Sequence, residues 1–147
     1  MVVQASKQKA KTLKKPAKDV VLEWFKTKQW DPFPFQKKTW SAHAKGESGL
    51  IHAPTGTGKT YAAWAGPLIE WMDELGKKPM PKRPPELRVL WITPLRALVK
   101  DTTHSLRTLV EDLQLPWSVE ERTGDTTGSI KAKQRKRFPS CLVTTPE

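Results

Sequence analysis

Apolar side chains recur three and four residues apart in two long segments of the chain, residues 59–75 and 96–113. That spacing is typical of amphipathic helices that bury one face. Weaker patterns predict short helices over about 18–28 and 36–46, and a basic helix over about 126–137. The pattern therefore predicts five helices, and the two longest carry the clearest core-facing stripes.

Short apolar runs between these helices predict β-strands. Pro32 and Pro34 force extended backbone on their predecessors, so residues 31–35 are predicted not to be helical. Strands that alternate with helices indicate an α/β sheet built from right-handed crossovers. The predicted strands are residues 50–52, 88–93, 117–121 and 141–144.

Composition narrows the class of protein. The chain has 147 residues, of which 37 % are hydrophobic and 28 % charged, which predicts one globular domain, or two at most. Apolar runs stay far below the 18–20 residues of a membrane span, so neither a membrane protein nor a membrane partner is expected. The N-terminus has no apolar signal core, and Cys141 is the only cysteine. We therefore expect a reducing, cytoplasmic location.

The net charge of +11 is concentrated in two stretches. Residues 1–20 contain six lysines and one aspartate, and residues 130–138 contain five basic residues, so each stretch carries +5. This segregation indicates a polyanionic partner, although a lysine-rich end is more often a solvated tail. We expect residues 1–17 to be a disordered basic tail and residues 18–147 to form the folded domain.

The strongest motif is the sequence APTGTGKT at residues 53–60, which matches the P-loop pattern with alanine at its first position. Its glycines let successive backbone N–H groups surround a phosphate, and the following helix directs its positive end at the same anion. Chance would produce such a match in about one chain in a hundred of this length. The alternative is a glycine turn that binds nothing. The predicted ATP-binding residues are Thr55, Gly56, Thr57, Gly58, Lys59 and Thr60, of which Lys59 and Thr60 are also assigned to catalysis and Thr60 to Mg²⁺.

Gln36 lies 23 residues before Lys59 and follows Phe-Pro-Phe. A glutamine amide can satisfy both the N6 donor and the N7 acceptor of adenine, which would favour ATP over GTP. Phe35 or Trp30 would then pack on the base. The alternative is that Gln36 is a polar residue that starts a helix.

Five motifs occur together in the order found in superfamily 2 helicases. They are Gln36, residues 53–60, ITPLRAL at 92–98, RTGDT at 122–126 and VTTPE at 143–147. Over about residues 22–147 the chain resembles the Lhr-like helicases, and most closely their branch of ligase-associated DEXH-box helicases. The resemblance implies a RecA-like P-loop NTPase fold, an α/β three-layer sandwich with a mostly parallel sheet that is incomplete at the C-terminus. It also implies that residues 18–147 are the N-terminal part of the first ATP-binding domain.

The resemblance further assigns nine residues to the backbone of a single-stranded DNA tracking strand. Each group follows a predicted strand, where open α/β sheets place ligands. Taken singly, a proline can simply end a strand and Thr-Gly-Asp is an ordinary turn. The basic run 131–137 is either a solvated face or a further phosphate contact. The nine residues are Pro94, Leu95, Arg96, Thr123, Gly124, Asp125, Thr145, Pro146 and Glu147.

The resemblance also carries expectations about the parent enzyme. The family continues after VTTPE with an Asp-Glu pair and His and with a second lobe that supplies arginines. We therefore expect these residues to bind ATP weakly, to hydrolyse it negligibly, and to lack a strand beside residues 50–53. DNA is expected rather than RNA, which stays possible, in bacterial DNA repair near the nucleoid, with a link to a DNA ligase and a nuclease.

Two other functions fit a lone P-loop. A small P-loop kinase would have about this length, but should show an arginine-rich lid that residues 76–147 do not offer clearly. A non-catalytic nucleic-acid-binding module is the other. The three histidines show no metal-ligand spacing, and Cys141, Trp64 and Trp91 are predicted to be core residues.

Overall fold

The computed structural model describes residues 13–146, which contain five helices and three strands. The long helices occur where the periodicity predicts them, since α3 has the predicted ends and α4 ends one residue earlier. Within the described range, no helix is both long enough and apolar enough to cross a membrane. The helices are α1 (Ala17–Thr27), α2 (Pro34–Ala44), α3 (Lys59–Leu75), α4 (Arg96–Asp112) and α5 (Gly128–Lys136), and the strands are β1 (Val89–Ile92), β2 (Val119–Arg122) and β3 (Cys141–Thr144).

The three strands form a parallel sheet in the order β1-β3-β2. The chain passes from β1 through α4 to β2 at the far side, and then returns through α5 to the central β3. Because right-handed crossovers in opposite directions put their helices on opposite faces, α4 and α5 flank the sheet on different sides. This is the expected α/β layering with a parallel sheet.

The main core lies on the α4 side of the sheet. In register, Val89, Cys141 and Val119 are neighbours across the three strands and share one face. Cys141 and Val143 are fully buried, and burial raises the pKa of the Cys141 thiol to about 12. The predicted core role of Cys141 is therefore confirmed, and its thiol stays protonated at neutral pH.

Aromatic side chains join the helices to this core. Trp64 of α3 is fully buried, donates its indole N–H to Leu106 O of α4 at 3.1 Å, and meets Trp117 edge-on. Trp24 of α1 donates to Asp112 Oδ2 at 2.8 Å. The Lys28 ammonium, followed by that indole, lowers the pKa of Asp112 below its usual value. These contacts tie α1 and α3 to α4, as expected if most tryptophans are core residues.

The predicted strand at residues 50–52 is absent from the structure. Leu50 is 92 % exposed, and these residues pair with none of the three strands. A short apolar segment becomes a strand only when a neighbouring strand completes its hydrogen bonds. The prediction of a strand at residues 50–52 is therefore wrong, although their apolar side chains favour extended backbone.

The exclusion of helix from residues 31–35 is also wrong in part. Helix α2 begins at Pro34 and includes Phe35. Proline is tolerated at the first helical position, because its missing N–H has no intrahelical partner there and its φ is already helical. Only the segment before Pro34 is extended.

The boundary of the basic tail differs as well. Leu13 packs against the core, Lys15 pairs with Glu23, and α1 begins at the buried Ala17. Residues 13–17 therefore belong to the folded part. The prediction of disorder for residues 1–12 concerns a segment outside the described residues.

Candidate nucleotide and nucleic-acid site

The P-loop turns sharply into α3. Gly56 and Gly58 have φ of +82° and +81°, a left-handed conformation that costs other residues roughly 1–2 kcal/mol. Gly58 is the N-cap of the 17-residue helix, so the free N–H groups of its first turn face the loop. Glycine at these two positions is what lets the backbone form an anion-binding turn at a helix start.

Lys59 folds back onto this loop. Its ammonium donates to Ala53 O at 2.7 Å and to Pro54 O at 2.9 Å, and the Thr57 hydroxyl donates to the same Pro54 O at 2.7 Å. Two loop carbonyls thus accept hydrogen bonds from the lysine that would otherwise contact a bound triphosphate. A bound anion has to draw the ammonium from those carbonyls.

These residues fit a magnesium nucleoside triphosphate. The loop supplies N–H donors and a helix N-terminus, Lys59 supplies a positive charge, and Thr60 in the first turn of α3 supplies the hydroxyl that a cation would need. Thr55 and Gly56 are exposed and Thr57 is half-buried, so the phosphate side of the loop is open. Their assignment to ATP and Mg²⁺ stays a prediction.

Gln36 is next to the P-loop, although 22 residues separate it from Gly58. Its Oε1 accepts the Phe33 N–H at 2.8 Å and its Nε2 donates to Gly58 O at 3.0 Å. The side chain is only 2 % exposed. Both ends of the amide therefore bond to protein atoms, and adenine recognition would require these bonds to be exchanged.

The two aromatic residues proposed for base packing have protein partners. Phe35 stacks on Phe33 with ring centroids 5.9 Å apart. Trp30 is half-exposed and packs edge-on against Trp24 at 5.8 Å. Contact with a base stays a prediction for either ring.

The three segments predicted to touch a nucleic-acid strand meet at one edge of the sheet. Pro94, Gly124 and Pro146 each lie shortly beyond the end of a different strand, and parallel strands end at the same edge. The Thr144 hydroxyl donates to Arg122 O at 2.7 Å and ties two of these ends together. The segments that the resemblance assigned to strand contact therefore share one edge of the sheet, and their contact with a nucleic acid stays a prediction.

Arg96 and the turn 123–126 are in direct contact. The Arg96 Nη1 lies 3.7 Å from Asp125 Oδ1, and a Cβ on Gly124 would come within 2.9 Å of the same guanidinium. A larger residue at this position would displace the guanidinium from the turn. The contact places one exposed cationic fork beside an exposed turn, which suits a phosphate oxygen.

Other residues of the predicted strand-contact set differ in accessibility. Pro94 and Leu95 are exposed, as is Pro146, whereas Thr145 is only 4 % exposed. The Thr145 side chain is therefore poorly placed for a strand contact in this conformation. Glu147 lies outside the described residues.

Two residues outside the nine assigned to strand contact support this turn. The Thr126 hydroxyl accepts the Thr123 N–H at 2.9 Å, and the Lys131 ammonium donates to Gly124 O at 3.1 Å. The spacing from Thr123 to Thr126 is a signal for a side-chain-stabilised turn. The contact of Lys131 depends on how α5 folds back, so the sequence alone carries no signal for it.

A parallel sheet with flanking helices, together with a glycine-rich turn into a helix, defines the class of P-loop nucleotide-binding proteins. The DEAD/DEAH box helicase family matches residues 33–147. The chain belongs to this family.

The relatives share the predicted subgroup. The chain is 37 % identical over 134 residues to the ATP-dependent helicase Lhr-Core of Sulfolobus acidocaldarius, covering 86 % of this chain and 15 % of the relative. It is 32 % identical over 137 residues to the Lhr helicase/uracil glycosylase of Escherichia coli, covering 85 % of this chain and 9 % of the relative. The predicted resemblance to Lhr-like helicases is confirmed, and the chain spans a small part of these proteins.

Solved structures agree with the fold. The chain resembles the Mycobacterium smegmatis helicase Lhr bound to ssDNA and AMP-PNP, with a TM-score of 0.65, 34 % identity, and coverage of 86 % of this chain and 16 % of that one. The DUF1998 helicase MrfA bound to DNA and AMPPNP gives a TM-score of 0.70 at 24 % identity, covering 95 % and 18 %. The second likeness concerns the fold alone. The RecA-like helicase fold class is therefore confirmed.

Proposed function

We propose that this chain is the ATP-binding lobe of an ATP-dependent helicase or translocase that moves along single-stranded DNA. The observation that carries the proposal is the P-loop at the start of α3, in which two left-handed glycines precede Lys59. Membership of the helicase family favours this function over a small P-loop kinase or a non-catalytic binding module.

Two residues of the P-loop would each have a defined role in nucleotide binding. Lys59 leaves Ala53 O and Pro54 O and turns to the phosphates, so that binding exchanges two internal hydrogen bonds for one charged contact. Thr60 would hold Mg²⁺ through its hydroxyl. Bound Mg-ATP supplies a phosphoanhydride whose cleavage releases the energy for movement.

Gln36 would couple the adenine to the loop. Its amide bonds to Gly58 O, the carbonyl of the residue that caps α3. If the amide turns to adenine, it leaves that carbonyl, and the loop becomes free to close around the phosphates. Gln36 would thus stabilise the loop when no nucleotide is bound and would contact adenine when ATP is bound.

The strand ends would hold the nucleic acid. Arg96 beside Gly124 and Asp125 offers a cationic fork without a base-reading groove, which suits contact with phosphates of any sequence. The support for DNA is the Lhr relative whose structure contains ssDNA, and the fold is shared with a DEAD-box helicase bound to ssRNA. RNA is therefore the alternative strand.

The finer biological setting is part of the proposal. The resemblance to the ligase-associated branch supports a role in bacterial DNA repair, beside a DNA ligase and a nuclease, in the cytoplasm near the nucleoid. No contact within residues 13–146 bears on these partners.

The test is ATP hydrolysis by the full-length protein, measured without nucleic acid and with single-stranded DNA or RNA. We expect single-stranded DNA to stimulate hydrolysis. We expect Arg96→Ala to raise the DNA concentration needed for half-maximal stimulation roughly tenfold, because it removes one charged hydrogen bond. Arg83→Ala is the matched control, because Arg83 is exposed in the loop between α3 and β1. Hydrolysis that no single strand stimulates would contradict the proposal.

A further inference from the structure

The three parallel strands end at the edge where Arg96 meets the turn 123–126, which we call the strand-end face, and they begin at the opposite edge of the sheet. Two basic segments lead into strands at that opposite edge, the loop 76–88 before β1 and residues 135–140 before β3. We call the surface of these two segments the cationic edge. The exposed basic residues that define it are Lys77, Lys78, Lys82, Arg83, Arg135, Lys136 and Arg137.

Hydrogen bonds hold the two segments of the cationic edge together. The Arg137 Nη2 donates to Pro84 O at 2.8 Å, which joins the end of α5 to the loop. At the far end of the loop, the Arg88 guanidinium donates twice to the Glu74 carboxylate, at 3.0 and 2.6 Å. The loop is thus attached to both α5 and α3, and its prolines restrict the backbone further. A surface ordered in advance loses little conformational entropy when it binds a partner.

Basic residues outnumber acidic ones on the cationic edge. None of the seven basic residues forms an ion pair among residues 13–146. The Glu74 carboxylate is paired with Arg88, whose hydrogen bonds lower the pKa of that carboxyl below its usual value. The other exposed carboxylates of the two segments and of the last turn of α3 are Asp73 and Glu86. The surface therefore keeps an excess of positive charge, which favours a polyanionic partner.

Helix α5 divides the basic run 131–137 between the two edges of the sheet. Lys131, near the start of α5, donates to Gly124 O in the strand-end face at 3.1 Å. The nine-residue helix spans about 13 Å, so Lys136 at its other end lies away from that face. The run is therefore two sets of cations, and the second set belongs to the cationic edge.

The composition of the cationic edge favours nucleic acid over an acidic protein. Protein–protein interfaces are depleted of lysine, whereas protein–DNA interfaces are strongly positive. Four of the seven basic residues are lysines. The loop 76–88 also offers few backbone donors, because four of its residues are prolines, which have no N–H. A partner would therefore be held by side-chain cations, which suit the phosphate oxygens of a nucleic-acid backbone.

We propose that the cationic edge binds the phosphate backbone of double-stranded nucleic acid. A duplex carries one negative charge per about 1.7 Å of its axis, roughly twice the density of one strand, and an ordered group of cations suits that density. The inference rests on the proposed function, because a helicase that moves along one strand meets the duplex that contains it. The strand-end face holds the single strand, and the cationic edge holds the unopened duplex on the opposite side.

The test measures binding of the full chain to a labelled DNA duplex and to single-stranded DNA, by fluorescence anisotropy over a range of salt concentrations without nucleotide. We expect the double variant Lys82→Ala, Arg83→Ala to weaken duplex binding roughly tenfold at low salt. The slope of log K against log salt should fall by about two, because each lost phosphate contact removes about 0.9. Single-strand affinity should stay within about twofold. An unchanged slope for the duplex would overturn the inference.

The matched control is the double variant Lys37→Ala, Lys38→Ala, which removes the same charge from exposed residues of α2. These lysines follow Gln36, which bonds to the residue that caps the start of α3, and that helix spans about 25 Å before the loop begins. We expect this control to leave the duplex slope unchanged. Equal losses in the control and the loop variant would show a response to net charge alone and would overturn the inference.

A variant of the other segment tests whether the two segments form one surface. The double variant Arg135→Ala, Lys136→Ala should reduce duplex affinity and slope as the loop variant does. Because these four side chains are exposed, the urea midpoints of both variants should equal that of the unaltered chain. An unchanged duplex slope for the α5 variant would overturn the single surface.

Two further comparisons separate this inference from its alternatives. A poly-glutamate peptide of the same total charge should displace the duplex poorly, and equal displacement would overturn the assignment to nucleic acid. Hydrolysis stimulated by single-stranded DNA, together with an unchanged duplex slope in the loop variant, would remove the cationic edge and leave the motor lobe. A reduced slope without ATP hydrolysis would leave the duplex-binding surface and remove the motor.

Discussion

At the P-loop, Lys59 and the neighbouring Gln36 bond to protein atoms, whereas beside β2 two buried polar atoms have no partner within the described residues. Lys59 and Gln36 each make two hydrogen bonds to nearby protein groups, while Thr103 Oγ1 and Gln134 Oε1 make none. The first arrangement is a resting state that a ligand must rearrange. The second is a pair of buried groups whose desolvation no hydrogen bond offsets. The comparison separates hydrogen bonds that a ligand can exchange from buried groups whose cost the rest of the fold must offset.

The largest expected effect concerns the resting state of the P-loop. In Gly58→Ala the new Cβ meets Gln36 Nε2 at 2.7 Å in a left-handed backbone conformation. The strain and the lost amide bond together should reduce the free energy of unfolding by about 2–3 kcal/mol. Urea denaturation followed by far-UV circular dichroism measures the change.

Gly56→Ala is the matched control for that variant. Its φ is also left-handed, but no atom lies within 4 Å of the added Cβ, so only the backbone strain of about 1–2 kcal/mol applies. Equal losses in the two variants would show that the Gln36 contact does not stabilise the loop.

The unpaired hydroxyl of Thr103 in α4 gives an effect of the opposite sign. Thr103→Val removes a buried hydroxyl without a partner, which should raise the free energy of unfolding by about 1 kcal/mol. Thr144→Val removes a hydroxyl that donates to Arg122 O at 2.7 Å, and should lower it by a similar amount. Thermal melts of both variants measure the two changes. A lower melting temperature for Thr103→Val than for Thr144→Val would contradict the comparison.

The smallest effect on stability is expected at the strand-end face. Gly124→Ala brings a Cβ within 2.9 Å of the mobile end of Arg96, so the guanidinium shifts and the fold is disturbed by less than about 0.5 kcal/mol. Single-stranded DNA affinity should nevertheless fall several-fold, as measured by fluorescence anisotropy. Gly128→Ala, where no atom lies within 4 Å of the added Cβ, should leave that affinity unchanged.

Much of the fold follows from local patterns. The apolar spacing of residues 59–75 predicts α3 with its observed ends, and the run 141–144 is the observed β3. These elements form because their own sequences favour them and because their apolar side chains pack in the core. Residues 50–52 have the same local signal, but a strand also needs a neighbour, which no local pattern contains.

The site divides in the same way. The P-loop residues are contiguous, so their sequence predicts a glycine-dependent turn into a helix, and the structure adds that Gly56 and Gly58 are left-handed. The partners of Gln36 and the unpaired state of Thr103 depend on residues that lie far away in the chain. Such facts arise from tertiary packing and cannot be inferred from spacing.

The most direct measurement is the equilibrium binding of Mg-ATP by calorimetry, for the unaltered protein, Lys59→Ala and Lys77→Ala. Lys77 is an exposed lysine after α3 and serves as the matched control. The account predicts that Lys59→Ala weakens binding at least tenfold, about 1.4 kcal/mol, while Lys77→Ala leaves it unchanged. Equal affinity in all three proteins would contradict the assignment of residues 53–60 as the nucleotide site.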